Sequence, residues 1–225
     1  MHSNGGIFMK LFFSIYCLAV ILVLFGGLGY AYVQLPYAEW LKLAYEGNII
    51  ETTTAIIFAV TSLLAFITLL KKRDKIWFYF GFLMLSATMR ELDLHKAWTT
   101  DSIFKLRFYS GDAAPLYEKA LGLLFIVVLI FCLVQFIRHI PSWISNLLKF
   151  HPIALSIFLG LGALGTGKTL DSMARILPFL ADFHGQNRGI LRMFEESLEM
   201  TSSFFFLLVC LLAILFKTSQ QQPTS

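Results

Sequence analysis

The chain has 225 residues, of which 57% are hydrophobic and 14% charged, with a mean hydropathy of +0.72. So little charge cannot cover a soluble domain of this length with a polar surface, and the apolar residues come in long blocks, as in bilayer-spanning chains. The net charge of +4 is spread over loops and forms no basic face, which argues against a nucleic-acid partner.

Six apolar blocks follow in chain order, at about 7–33, 51–70, 76–95, 116–138, 152–170 and 196–216. Each is near the roughly 20 helical residues that cross a hydrocarbon core of about 30 Å. No block alternates with period two, so membrane strands are excluded. The expected architecture is an all-α, polytopic bundle of about six spans, built as one integral membrane domain over residues 1–225. The first block reads as a retained anchor helix: it is too long for a signal sequence and lacks a small-x-small cleavage site. Cys17, Cys132 and Cys210 each lie inside an apolar block, without metal-type spacing, and read as small hydrophobic residues.

Charge in the loops sets the expected orientation. Lys71, Lys72, Arg73 and Lys75 join blocks two and three; Arg138, His139 and Lys149 join blocks four and five; Lys10 and Lys217 flank the first and last blocks. Six spans place all four segments on one side, the cytoplasmic one, with both termini. The opposite loops mix signs, with Glu39, Lys42 and Glu46 in one and Asp101, Lys105, Arg107 and Asp112 in the other. Trp40, Trp77, Trp98 and Trp143 lie at block edges, where interfacial anchors are expected, and Glu39 to Glu46 reads as a short interfacial helix. The compact, single-domain build suggests a bacterial inner membrane.

The polar residues inside the blocks are concentrated at the non-cytoplasmic ends. Block three is apolar from Ile76 to Met89, a rise of about 21 Å, before it meets Arg90, Glu91, Asp93 and His95. On a continuous helix Glu91 and His95 share one face, and Arg90 and Asp93 a neighbouring one. At the outer end of block six lies a stripe of Arg188, Arg192, Glu195, Glu196 and Glu199, with apolar sequence from Met200 to Phe216 after it. Lys168, Asp171, Ser172 and Arg175 form a stripe at the outer end of block five; Glu51 opens block two, and Glu118 with Lys119 opens block four. The expectation is one outward-facing polar pocket, since charge at membrane depth must be paired or wet.

Three functional readings fit such a pocket. The first is an enzyme, a hydrolase or transferase, acting on a lipid or lipid-linked substrate at the outer leaflet. Glu91, His95, Glu51, Glu195 and Glu199 would supply acid–base chemistry, and Arg90, Lys168, Asp171 and Arg175 would contact the substrate. Glu91, His95 and Glu199 would also suit a divalent metal ion, through hard oxygen ligands and one imidazole. The second is a proton- or ion-coupled transporter or channel, and the third a structural or assembly protein in which the charges pair with one another. Gly162 to Thr169 reads GALGTGKT, which satisfies a phosphate-loop pattern. It follows an apolar block instead of a strand, and too little chain follows it to build a nucleotide-binding domain, so it is read as a chance match.

The topology has a direct test. With Cys17, Cys132 and Cys210 replaced, single cysteines at positions 91, 95 and 171 are expected to react with a membrane-impermeant maleimide added outside intact cells. Reaction only from the cytoplasmic side would reverse the orientation.

Overall fold

The computed structural model describes residues 4–43, 49–97, 99–176, 185 and 187–216. All regular structure among them is helical, with no strand. The helices are α1 (Asn4–Ile21), a π-helical turn (Leu22–Gly26), α2 (Gly27–Gln34), α3 (Tyr37–Lys42), α4 (Ile49–Lys72), α5 (Ile76–Glu91), α6 (Leu94–Ala97), α7 (Leu106–Ser110), α8 (Leu116–Ile137), α9 (Ile140–Leu148), α10 (Pro152–Ile176) and α11 (Arg188–Leu215). The protein is an all-α membrane protein. Five helical stretches among the described residues are long and apolar enough to cross a bilayer: Gly6–Gln34, Ile49–Lys72, Leu116–Leu148, Pro152–Ser172 and Arg188–Leu215.

The third apolar block forms a shorter helix than its sequence predicts. Helix α5 has 16 residues and stops at Glu91. Leu92 leaves helical geometry and Asp93 takes a left-handed φ of 50°, after which α6 begins at Leu94. Aspartate tolerates that region better than most residues, so the apolar pattern carries no warning of the break.

Prolines and charged turns set other boundaries. Pro152 is the first residue of α10, where a missing N–H costs nothing, and Pro115 caps α8, its carbonyl accepting the Lys119 N–H at 3.2 Å. Between α4 and α5, Arg73 takes φ 54° and Asp74 Oδ1 accepts the Ile76 N–H at 3.1 Å. So short a connection makes α4 and α5 antiparallel neighbours.

The chain divides into two compact units. The first comprises residues 1–41 and 144–225. Its centre is α11, 67% of whose most apolar stretch is buried, against 11% for Gly6–Gln34. Phe205, Leu208 and Leu212 form a core against which Phe12, Tyr16 and Ile153 pack, and Tyr16 Oη donates to the Phe204 carbonyl at 2.8 Å. Helix α10 approaches α11 through small residues: a Cβ added at Gly160 would stand 2.7 Å from Phe206 Cε1, and one at Gly167 would stand 3.3 Å from the Glu195 carbonyl oxygen. The short α3 keeps Trp40 buried, its Nε1 donating to the Leu28 carbonyl at 3.2 Å. Ala44, Tyr45 and Glu46 of the expected interfacial helix lie outside the described residues, as does Trp98.

The second unit comprises residues 42–143. Ser62 Oγ donates to the Gly81 carbonyl at 2.8 Å, tying α4 to α5. Aromatic pairs join α5 to α8: Phe80 stacks on Phe136 with ring centroids 5.8 Å apart, and Tyr79 meets Phe131 at 5.9 Å. Along α4, Thr54, Thr61 and Thr68 recur every seven residues, all buried, each hydroxyl donating to the carbonyl four residues earlier.

The GALGTGKT segment lies wholly inside α10. Its backbone N–H groups belong to the helical ladder and cannot cradle a phosphate.

The close approach at Gly160 predicts that Gly160→Leu overpacks the α10–α11 contact, at a cost of about 1–3 kcal/mol. Gly162, with nothing within 4 Å of an added Cβ, should accept leucine with little effect. Thermal unfolding in detergent micelles separates the two; equal melting temperatures would refute the close packing.

Candidate functional site

The most deeply buried charge among the described residues is Glu199 on α11, at 3% exposure. Its position follows from the helix. Glu195 and Glu199 are one turn apart on α11, and Lys168 reaches them from α10. Lys168 Nζ lies 3.1 Å from Glu195 Oε1 and also lies against Glu199 Oε1. Gly167, next to Lys168, brings the two backbones close enough for this reach. Exposure falls in steps through the group, from 33% for the Lys168 side chain to 14% for Glu195 and 3% for Glu199. Lys168 is thus the most exposed member of the group and Glu199 the most buried. From Met200 to Leu215 α11 holds no charged residue.

The surrounding hydroxyls are satisfied within α11 itself. Ser197, Thr201, Ser202 and Ser203 donate to carbonyls three or four residues earlier, at 2.6–2.7 Å. This back-bonding is how Ser and Thr survive in an apolar helix. Arg192 and Glu196 lie 3.9 Å apart on the same helix. An ammonium and two carboxylates in this setting are held by mutual attraction against a large desolvation cost. Chemically they form a compact acid–base group.

Spacing along α10 puts Lys168, Asp171 and Arg175 in one stripe, with Asp171 between the two bases; in the structure Lys168 also reaches across to Glu195 and Glu199 on α11. Asp171 is exposed one turn further along α10. The side chain of Arg175 lies outside the described residues. Of the expected site residues, this unit thus brings together Lys168, Glu195 and Glu199.

The remaining expected site residues belong to the other unit. Glu51 stands in the first turn of α4 and Glu91 is the last residue of α5, both half-buried. Antiparallel packing puts them at the same end of this helix pair. Arg90 is exposed, and Asp93 pairs with Lys96 at 2.6 Å. His95 falls in α6, and its side chain lies outside the described residues. The helix break at Leu92 and Asp93 separates Glu91 from His95, so the one-face argument for that pair does not apply to this backbone. Among the described residues no three His, Cys, Asp or Glu side chains stand together as a metal ion requires.

The sequence signal for the centre was the spacing of small residues. Gly160 and Gly167 are seven apart and mark the face of α10 that meets α11. No protein-family model, curated protein or solved structure matches the chain.

Removing the lysine leaves two carboxylates without it. Lys168→Gln is expected to lower stability by about 1–3 kcal/mol, below the cost of breaking a fully buried pair because Lys168 is one-third exposed. Lys168→Gln combined with Glu199→Gln should cost less than the sum of the singles. Detergent-based unfolding of the four proteins tests this; strict additivity would mean that the charges are not coupled.

Proposed function

We propose that this integral membrane protein is a membrane-embedded enzyme, a hydrolase or transferase, acting on a lipid or lipid-linked substrate at the outer leaflet. The observation that carries the reading is the stepped access to the Lys168–Glu195–Glu199 centre. A group whose exposure falls from Lys168 to Glu199, with an uncharged stretch of α11 beyond it, suits a substrate that approaches from the lysine side. Glu195, the more accessible carboxylate, is the proposed general base; Lys168 orients it, and Glu199 holds the lysine from below. Glu51, Glu91 and His95 are proposed as further acid–base groups or divalent-metal ligands, and Arg90, Asp171 and Arg175 as substrate contacts.

Six spans with both termini cytoplasmic remain the proposed topology, α5 being the short member. That arrangement keeps the Lys71–Lys75 and Arg138–Lys149 connections on one side. The single-domain reading of the sequence is the ground for proposing a bacterial inner membrane.

A second reading has its own support. Two carboxylates face one lysine, and such an excess of negative sites within a membrane helix pair suits a centre that binds and releases a cation during transport.

One reconstitution separates these. Purified protein in proteoliposomes made from a bacterial total lipid extract is expected to convert at least one lipid class detectable by mass spectrometry. Glu195→Gln should slow that conversion by about 10²–10⁴-fold, the usual contribution of a general base. Unchanged lipids together with cation or proton flux that Glu199→Gln abolishes would replace the enzyme with a transporter. Unchanged lipids without flux would overturn both.

A further inference from the structure

The segment joining α6 to α8 folds on a small core of its own. Ile103, Phe108 and Ala114 are buried together, with Tyr109 and Phe125 packed on them, and Tyr109 Oη donates to the Ile103 carbonyl at 2.8 Å. Glu118 fixes the segment to the first turn of α8, accepting the Thr100 N–H at 2.9 Å and its hydroxyl at 2.8 Å. Lys119 Nζ donates to the Gly111 carbonyl at 2.6 Å.

Asp101 organises the polar side of this cap. Its Oδ2 accepts from Arg107 Nε at 2.6 Å; its Oδ1 accepts from the Ser102 N–H at 2.7 Å and from Lys105 Nζ at 3.3 Å. The Arg107 guanidinium first, and then the Ser102 N–H, hold the Asp101 carboxyl well below the usual carboxylate range. Beside it opens a cavity of about 470 Å³, lined by Thr100, Asp101, Arg107, Phe108 and Gly111 among others. That volume lies within the range of small-molecule sites.

Arg107 is only partly used. Its Nε is taken by Asp101, its side chain is 70% exposed, and its two terminal nitrogens have no protein partner among the described residues. Asp101 thereby fixes the plane of the guanidinium and leaves the outer edge of the fork presented. Such a fork matches two oxygens of a phosphate. Counting Asp101, Asp112 and Glu118 against Lys105, Arg107 and Lys119, the segment is neutral, so attraction would come from aimed donors and not from a broad positive field.

The surroundings specify where the phosphate comes from. Leu106, next to Arg107, is 82% exposed, and so is Leu116 at the start of the membrane helix α8; Tyr117 is 65% exposed. Exposed leucines and a tyrosine in the same segment as an exposed guanidinium are the composition of a surface at headgroup depth, with the apolar side chains in the acyl boundary. We propose that this cavity binds the phosphate of a phospholipid headgroup, held by the terminal nitrogens of Arg107. The site is separate from the Lys168–Glu195–Glu199 centre, and it stands whether or not that centre is catalytic.

The test uses the full chain in detergent micelles, with dihexanoyl phosphatidic acid and inorganic phosphate as separate probes followed by phosphorus NMR line broadening. Saturable binding of the lipid is expected, weakened about tenfold or more by Arg107→Gln and by a smaller factor in Arg107→Lys, which keeps the charge but loses the fork. Arg138→Gln, in another loop, should bind as the parent does. Circular dichroism and thermal melting of each variant identify any loss of the fold; if Arg107→Gln does not fold, Arg107→Lys carries the comparison. Lipid binding unchanged in the folded Arg107 variants would overturn the proposal. Inorganic phosphate binding as tightly as the lipid would also overturn it, by making this a site for free anions.

Discussion

A polar group inside hydrocarbon has no water to fall back on, and the packing of this chain follows from that single constraint. Backbone groups meet it by forming helices. Side-chain hydroxyls meet it within the same helix: Thr54, Thr61 and Thr68 on α4, and Ser197 to Ser203 on α11, all donate to carbonyls of the preceding turn. A buried charge needs an opposite charge, which Glu196 finds one turn away in Arg192 on its own helix. Glu199 is buried, and Lys168 comes from a different helix to meet it, which in turn requires the glycines that let α10 and α11 approach. The ion group, the small-residue contact and the buried face of α11 are thus one arrangement.

The two charged regions differ in the way they answer the constraint. The centre on α10 and α11 is buried at Glu199, and its members hold each other. The charges of the cap between α6 and α8 are largely exposed and build rigidity through Asp101. Rigidity there matters because a guanidinium fixed in plane loses little freedom when it binds. Buried charges suit chemistry that must be shielded from water; exposed, fixed charges suit recognition.

Much of the architecture was legible from apolar runs alone, because membrane helices need length and little else. Blocks at 51–70 and 116–138 became Ile49–Lys72 and Leu116–Ile137, with ends set by lysines and by Pro115. The end of α5 was not legible: an aspartate in left-handed geometry looks in sequence like any other polar residue beyond an apolar run. Nor was the partner of Lys168. Periodicity assigns a residue to a face of its own helix, but it does not say which helix that face meets. Two faces met at Gly160 and Gly167, and only the fold shows that Glu195 and Glu199 lie opposite. The cap was hidden for another reason. Its core draws on residues as far apart as Ile103 and Phe125, and its sequence has no period to read.

The brevity of α5 has a consequence for the lipid itself. Its 16 residues rise about 24 Å, while the hydrocarbon core of an ordinary bilayer is about 30 Å thick. In the proposed six-span topology α5 would cross with a shortfall of about 6 Å and draw the headgroups inward around it, as the bilayer thins to keep its apolar surface covered. Beside α5 the membrane would carry a shallow dimple, on the side where its chain continues into the cap. On that topology a thin bilayer would suit the protein better than a thick one, and membrane thickness would become a variable in where it resides.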